Sequence, residues 1–219
     1  LCRAMDSRPR AEHGRSMRGN DRMKGGYTKE TFMKIVCISG SPRKGRNSEQ
    51  IVARASEFFR EKNHQVEAIL LSETATYPCI HCDYCKTKPS CSQYEEANRI
   101  NAALAEADAI LVVTPVYFGG VAGQLKCLFD TTLPLRRDGM RLKGKIGAAI
   151  AVGNSRNGGQ ELAVKDVHAW MLIHGMVVVG DNSHFGGTVQ APFSDDETGG
   201  ATVRGTLEAL GALLERIGR

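Results

Sequence analysis

From Lys34 onward, short continuous apolar runs alternate with segments whose apolar residues form a helical stripe. Ile35–Ser39 (IVCIS) ends in Gly40-Ser41-Pro42, which predicts a buried strand. Asn47 or Ser48 can cap a helix to about Asn63, with Ile51, Val52, Ala55, Phe58 and Phe59 on one stripe. Val66–Leu71 predicts strand two, and residues 72–92 a long loop. Tyr94–Glu106 reads as a helix with Ala97, Ile100, Ala103 and Leu104 inward. Ala109–Thr114 predicts strand three, broken by Pro115, and Val121–Thr131 the next helix. Residues 134–144 read as a polar loop, Ile146–Val152 as strand four, and Gly153–Gly159 as a loop rich in Gly and Asn. Glu161–His174 is a helix carrying the only tryptophan, Trp170. Met176–Val179 predicts strand five, residues 180–197 a loop, and Ala201–Ile217 the last helix.

Strand and helix therefore alternate five times. All-apolar strands between amphipathic helices imply an α/β fold whose parallel sheet is covered on both faces. Right-handed crossovers give a doubly wound five-stranded sheet in the order 2-1-3-4-5. Ligands in such sheets sit at the carboxyl ends of the strands, at the switch point between strands one and three. The loops after strands one, three and four should converge there: SGSPRKGRNS, TPVYFGG and GNSRNGGQE.

The first loop offers backbone N–H groups, the hydroxyls of Ser39, Ser41 and Ser48, the Asn47 amide and the Arg43 cation, at a helix N-terminus. Those donors suit a phosphate dianion; an ordinary βα turn would use the same Gly40-Ser41-Pro42 without a ligand. Gly40-x4-Gly45 matches the first half of a nucleotide-binding P-loop. Arg46 then stands where its Lys belongs, and Asn47 where its Ser or Thr belongs. Nucleotide hydrolysis is set aside on that ground, and the loop suits a monophosphate better than a pyrophosphate. The second loop, Thr114–Gly120, joins an aromatic pair, Tyr117 and Phe118, to glycines that allow a planar ring close to the backbone. The third can supply an opposite wall through Asn154, Asn157 and Gln160.

Between strand two and the next helix, Cys79, Cys82, Cys85 and Cys91 are spaced C-x2-C-x2-C-x5-C. Four thiolates this close can wrap one polynuclear iron–sulfur site. Structural zinc usually takes two separate C-x2-C knuckles, and a second knuckle is absent from the sequence. A cluster, a zinc ion or an empty motif all stay open. Cys37 and Cys127 fall inside elements and read as packing, while Cys2 lies in the N-terminal segment. His81, between two of the four cysteines, reads as an exposed loop residue. Arg136, Arg137, Arg141, Lys143 and Lys145 read as a solvated basic loop, or as a docking patch for an acidic redox partner such as ferredoxin or for a nicotinamide phosphate.

Charge adds a boundary. Residues 1–34 carry nine Lys and Arg against four acids, and the remainder of the chain is balanced, so the net +5 comes from this segment. Nucleic-acid binding is not indicated for the neutral part. Residues 1–33 are expected to be a disordered basic extension, or upstream sequence from a misplaced start, since the chain begins with Leu1 and Met23 and Met33 follow. No apolar stretch is long enough to cross a membrane, and a cytoplasmic location is expected.

Taken together, GSPRKGRNS, TPVYFGGVAGQLKCLFD and the GGQE turn resemble the NADPH-dependent FMN reductase family of flavodoxin-like proteins. The cysteine motif is similar to that of the iron–sulfur flavoproteins in that group. The resemblance runs from about Lys34 to Arg219 and is loosest near the end. It implies a flavodoxin-like FMN-binding domain over residues 34–219. Ser39, Ser41, Arg43, Asn47 and Ser48 would hold the phosphate. Pro115, Val116, Tyr117, Phe118 and Gly119 would line the isoalloxazine, with Asn154 and Gly158 at its other edge. It also implies a homodimer or homotetramer with flavin near the subunit boundary. Relatives often carry an Asp pair after the last Cys, where this chain has Glu95-Glu96. The expected function is electron transfer between a 4Fe–4S cluster and FMN. The alternative is an NAD(P)H-dependent FMN or quinone reductase without a cluster. A third is a zinc-stabilised binding module without turnover.

Overall fold

A computed structural model describes residues 32–217. Its sheet holds six strands: β1 (Lys34–Ser39), β2 (Gln65–Leu70), β3 (Ala109–Pro115), β4 (Ile146–Gly153), β5 (Val177–Val179) and β6 (Gly187–Gln190). The helices are α1 (Asn47–Arg60), α2 (Glu95–Glu106), α3 (Gly123–Thr131), α4 (Leu133–Arg137), α5 (Gln160–Ile173) and α6 (Glu197–Ile217). The order is β2-β1-β3-β4-β5, all parallel, as the flavodoxin-like reading expects.

Side chains alternate across the sheet, so each strand feeds two cores. Val36, Ile38, Ile110 and Val112 point to the face covered by α2, α3 and α5, among Leu104, Leu125, Leu128 and Trp170. Ile35, Cys37, Leu111 and Val113 point to the face covered by α1 and α6, among Phe59, Leu207 and Leu210. β3 and β4 are buried along their whole length, which explains their continuous apolar sequences. Cys37 is fully buried, and burial pushes its thiol up to about 12, so it serves as packing.

Two expectations need correction. The fifth strand is in two pieces. β5 pairs with Ile146–Ala148 of β4, and β6 pairs with Ile150–Gly153 farther along the same strand. Residues 180–186 leave the edge between them. Asp181 ties the excursion by accepting from the Ser183 backbone N–H at 2.9 Å and facing His184 Nδ1 at 2.9 Å. Gly187 lets β6 close on β4, because a Cβ there would meet Ile150 Cγ1 at 2.8 Å. The expected polar loop from residue 134 instead opens with α4. Its Pro134 lies in the first helical turn, where proline loses no hydrogen bond. The expected extension over residues 1–33 lies outside the described residues, apart from an exposed Phe32 and a Met33 packed on the core.

Candidate functional site

The first loop is tightly made. The Ser41 hydroxyl oxygen accepts the Arg43 backbone N–H at 3.1 Å, and Gly45, at φ +69°, donates to Glu49 Oε2 at 2.5 Å. Glu49 also takes the Ser72 hydroxyl, which joins the loop to the end of β2. Gly40 passes against α3, where a Cβ would meet Leu125 Cδ2 at 2.8 Å. Asn47 is the first residue of α1, and Arg46 stands at the N-cap. The Asn47 Oδ1 accepts the Phe193 N–H at 2.9 Å, so its amide N–H groups remain for the loop.

The second loop is a tight turn in which Tyr117 and Gly120 exchange backbone hydrogen bonds at 2.9 and 3.2 Å. Val121 N–H donates to Asp166 Oδ2 on α5 at 3.3 Å. The third loop touches the second through Gly159, at φ +96°, where a Cβ would meet Gly119 Cα at 3.2 Å.

Together these loops enclose one cavity at the carboxyl end of the sheet. Ser41, Arg43, Asn47, Ser48, Pro115, Val116, Tyr117 and Asn154 line it. Ser39 does not: it is buried beneath the loop, and its Oγ has no partner. Phe118 and Gly119 form the exposed tip of the turn, with φ of 49° and 83°. Gly158 donates its N–H to Gln160 Oε1 at 2.8 Å, outside the lining. Gln160 is buried with its amide spent on Ser155 O at 2.6 Å and Val189 O at 3.2 Å, so it braces the loop and offers no contact to a ligand. Arg46, Val152, Gly153 and Ala191 complete the lining. The basic character of the first loop hinted at Arg46. Ala191 follows the unforeseen β6, so no pattern pointed to it.

A second cavity is lined by Cys79, Cys82, Cys85 and Cys91 together with α4 residues Pro134 and Arg137. The loop is shaped by left-handed His81 and Asp83, at φ 53° and 61°. Asn98 clamps Cys91, accepting its N–H at 2.7 Å and donating to its carbonyl at 2.8 Å. The Tyr84 backbone N–H, then the Ser92 hydroxyl, hold the Cys82 thiol below its ordinary value. Arg137 Nη1 lies 2.8 Å from Cys85 Sγ. Among the described residues no three His, Cys, Asp or Glu side chains close on a single ion.

The basic stretch is not a free loop. Arg136 donates to Ile173 O and Lys145 to Ala107 O, while Arg141 pairs with Asp138 at 3.5 Å. A groove between α3 and α5 runs from Gly120 to Cys79, with Phe129, Trp170 and His174 along it. Phe129 and Trp170 stack at 4.4 Å. The Thr132 hydroxyl donates to Phe129 O at 2.6 Å and accepts the Trp170 indole N–H at 2.9 Å. His174 Nε2, at 3.0 Å, must therefore be the N–H donor to that oxygen, which leaves Nδ1 buried without a partner. Burial, then the Arg136 charge, pushes His174 down to about 4.

Comparison with known proteins gives a consistent picture. Residues 33–189 match the NADPH-dependent FMN reductase family. An iron–sulfur flavoprotein of Methanosarcina thermophila is 45% identical over 185 residues, 84% of this chain and 97% of that protein. Among solved structures, an NADH:FMN oxidoreductase in its apo form is similar with a TM-score of 0.61 at 22% identity, over 81% of this chain and 88% of the other. A flavodoxin from the domain Archaea is similar with a TM-score of 0.55 at 17% identity, over 82% and 98%.

Proposed function

The chain belongs to the NADPH-dependent FMN reductase family and is an FMN-dependent oxidoreductase, and from that premise we propose that it transfers electrons between FMN and a 4Fe–4S cluster held by Cys79, Cys82, Cys85 and Cys91. The observation that carries the finer reading is the meeting of all four cysteines at one cavity. The likeness to an iron–sulfur flavoprotein along nearly its full length supports the same reading.

The first cavity would hold the FMN. Ser41, Arg43, Asn47 and Ser48 would hold one phosphate at the positive end of α1, and among the described residues no carboxylate pairs with Arg43. Ser39, with its buried unpartnered hydroxyl, would complete the cradle from below. Pro115, Val116 and Tyr117 would face the ring. Phe118 and Gly119 would cover it from the turn, and Asn154 would meet its far edge. FMN supplies two electrons one at a time and a cluster handles one, which suits coupling of one-electron donors to two-electron acceptors. NAD(P)H or a ferredoxin-like protein would be the donor.

Exposed Leu172 and Ile173 on α5 and Phe118 on the turn support assembly as a homodimer or homotetramer. No helix among the described residues is long and apolar enough to cross a membrane.

The test is anaerobic purification followed by an absorption spectrum, iron and acid-labile sulfide analysis, and identification of the released flavin. FMN with about four irons and four sulfides per chain is expected. FMN with zinc and no sulfide would leave a plain NAD(P)H-dependent FMN or quinone reductase.

A further inference from the structure

Helix α4 carries a charged donor to the cysteine quartet. Pro134 and Leu135 are buried, so this short helix is fixed on the core. Arg137 projects from its end, with its side chain 28% exposed. Its Nη1 reaches Cys85 Sγ at 2.8 Å, and its Nη2 lies 4.0 Å from Asp83 Oδ1. Asp83 already has a closer cation in Lys86, at 2.7 Å. Arg137 gives Asp83 only a more distant charge, and its hydrogen bond goes to the sulfur. The other thiols have weaker company. Cys79 Sγ faces the His81 backbone N–H at 3.4 Å, and Cys82 Sγ faces the Ser92 hydroxyl at 3.6 Å. Among the described residues, only Cys85 has a cationic donor on its sulfur.

We propose that Arg137 is a positioning residue that holds the Cys85 thiolate and raises the reduction potential of the centre bound by the quartet. The assignment rests on reading the four cysteines as 4Fe–4S ligands. Adding one electron makes a thiolate-ligated cluster more negative, so a fixed cation beside one ligand favours the reduced form. A hydrogen bond to that sulfur acts in the same direction. Arginine suits the place because its charge persists at every working pH and its planar fork can face a sulfur and a carboxylate together.

The experiment is an anaerobic redox titration of the holoprotein with dithionite, followed by EPR, with the flavin absorption in the same sample as an internal control. Wild type, Arg137→Gln and Arg137→Lys are compared at equal iron and sulfide content. Gln should shift the one-electron equilibrium toward the oxidised cluster about tenfold, or about 59 mV. Lys keeps the charge and should recover most of that shift. The flavin midpoint should stay in place throughout. If Gln lowers cluster content in folded, FMN-loaded protein, Lys should restore it. Wild-type potential in a fully loaded Gln variant overturns the assignment alone, as do equal shifts or equal losses in Gln and Lys. A wild-type protein holding zinc without sulfide overturns the cluster reading and this assignment with it.

Discussion

Asp196 joins three elements beside the first cavity, and its removal should be costly out of proportion to its size. It stands just before α6 and is 9% exposed. Its Oδ1 accepts the Gly199 N–H at 2.9 Å, an N-terminal cap of α6. Its Oδ2 accepts the Gln190 N–H from β6 at 2.7 Å, and Arg156 of the third loop pairs with the same carboxylate. Loss of a cap costs about 0.5–2 kcal/mol. Leaving a buried backbone donor unpaired costs about 1–3 kcal/mol. Arg156 is 43% exposed, so its bridge adds about 1 kcal/mol at most. These contacts share one carboxylate and do not add in full, so Asp196→Ala should lose about 2–4 kcal/mol. For a chain of this size that lowers Tm by about 4–16 °C. Urea unfolding of FMN-stripped protein is the assay, because bound FMN adds a stabilisation of its own. Burial pushes the Asp196 carboxyl up, but Arg156 and the two backbone N–H groups outweigh it and hold it below its ordinary 3.8. The charged form's contribution is therefore present above about pH 3.8 and lost as pH falls through the lower folded value. Asp196→Asn should accordingly trail wild type at neutral pH and approach it in acid. An Ala variant that loses under about 1 kcal/mol, or a gap to Asn that does not close in acid, would refute the joint role.

Arg43→Ala should weaken FMN binding about tenfold to a hundredfold, the loss of one charge-assisted contact worth about 1.5–3 kcal/mol, measured by fluorescence titration of stripped protein. Changing Cys79, Cys82, Cys85 or Cys91 to Ala should abolish labile sulfide and spare FMN. Cys37→Ala should retain both and lower stability by about 1–2 kcal/mol through the cavity left in the core. His174 is held down to about 4 against an ordinary 6.5, so the unfolded chain binds more protons between those values. Stability should fall as pH drops from 6.5 to 4, by at most about 1.4 kcal/mol per pH unit. His174→Gln should flatten that slope in a pH series of urea midpoints.

The sheet was legible because its central strands are buried on both faces and have no polar residue to interrupt them. Ile35–Ile38 and Ile110–Val113 could be little else. β6 was hidden because Gly-Thr-Val-Gln has one buried apolar side chain, Val189, and owes its place to close backbone approach. Helix α4 was hidden because a proline reads as a breaker unless its position in the first turn is known. Those two misses carried the unforeseen site residues with them: Ala191 after β6, and Arg137 at the end of α4. That the first loop would bring polar donors to a cavity was readable from chemistry alone. Which of them turn inward was not. Gln160 looks like a donor to a ligand in sequence, yet it braces backbone, and Ser39 lies beneath the loop and not along the cavity wall.

Helix α3 ties the two cavities together. It starts just past the Tyr117–Gly120 turn, and Asp130 and Thr131 at its far end line the cysteine cavity. Its nine residues rise about 13 Å from that turn to the cysteine cavity. Between them lie stacked Phe129 and Trp170, pinned by Thr132 and His174, with an open groove alongside. On the proposed reading, a second subunit bringing its own flavin loop toward this quartet would offer a further route. Assembly would then belong to the electron path itself. Phe118, exposed at the tip of the second loop, would be available to such a neighbour.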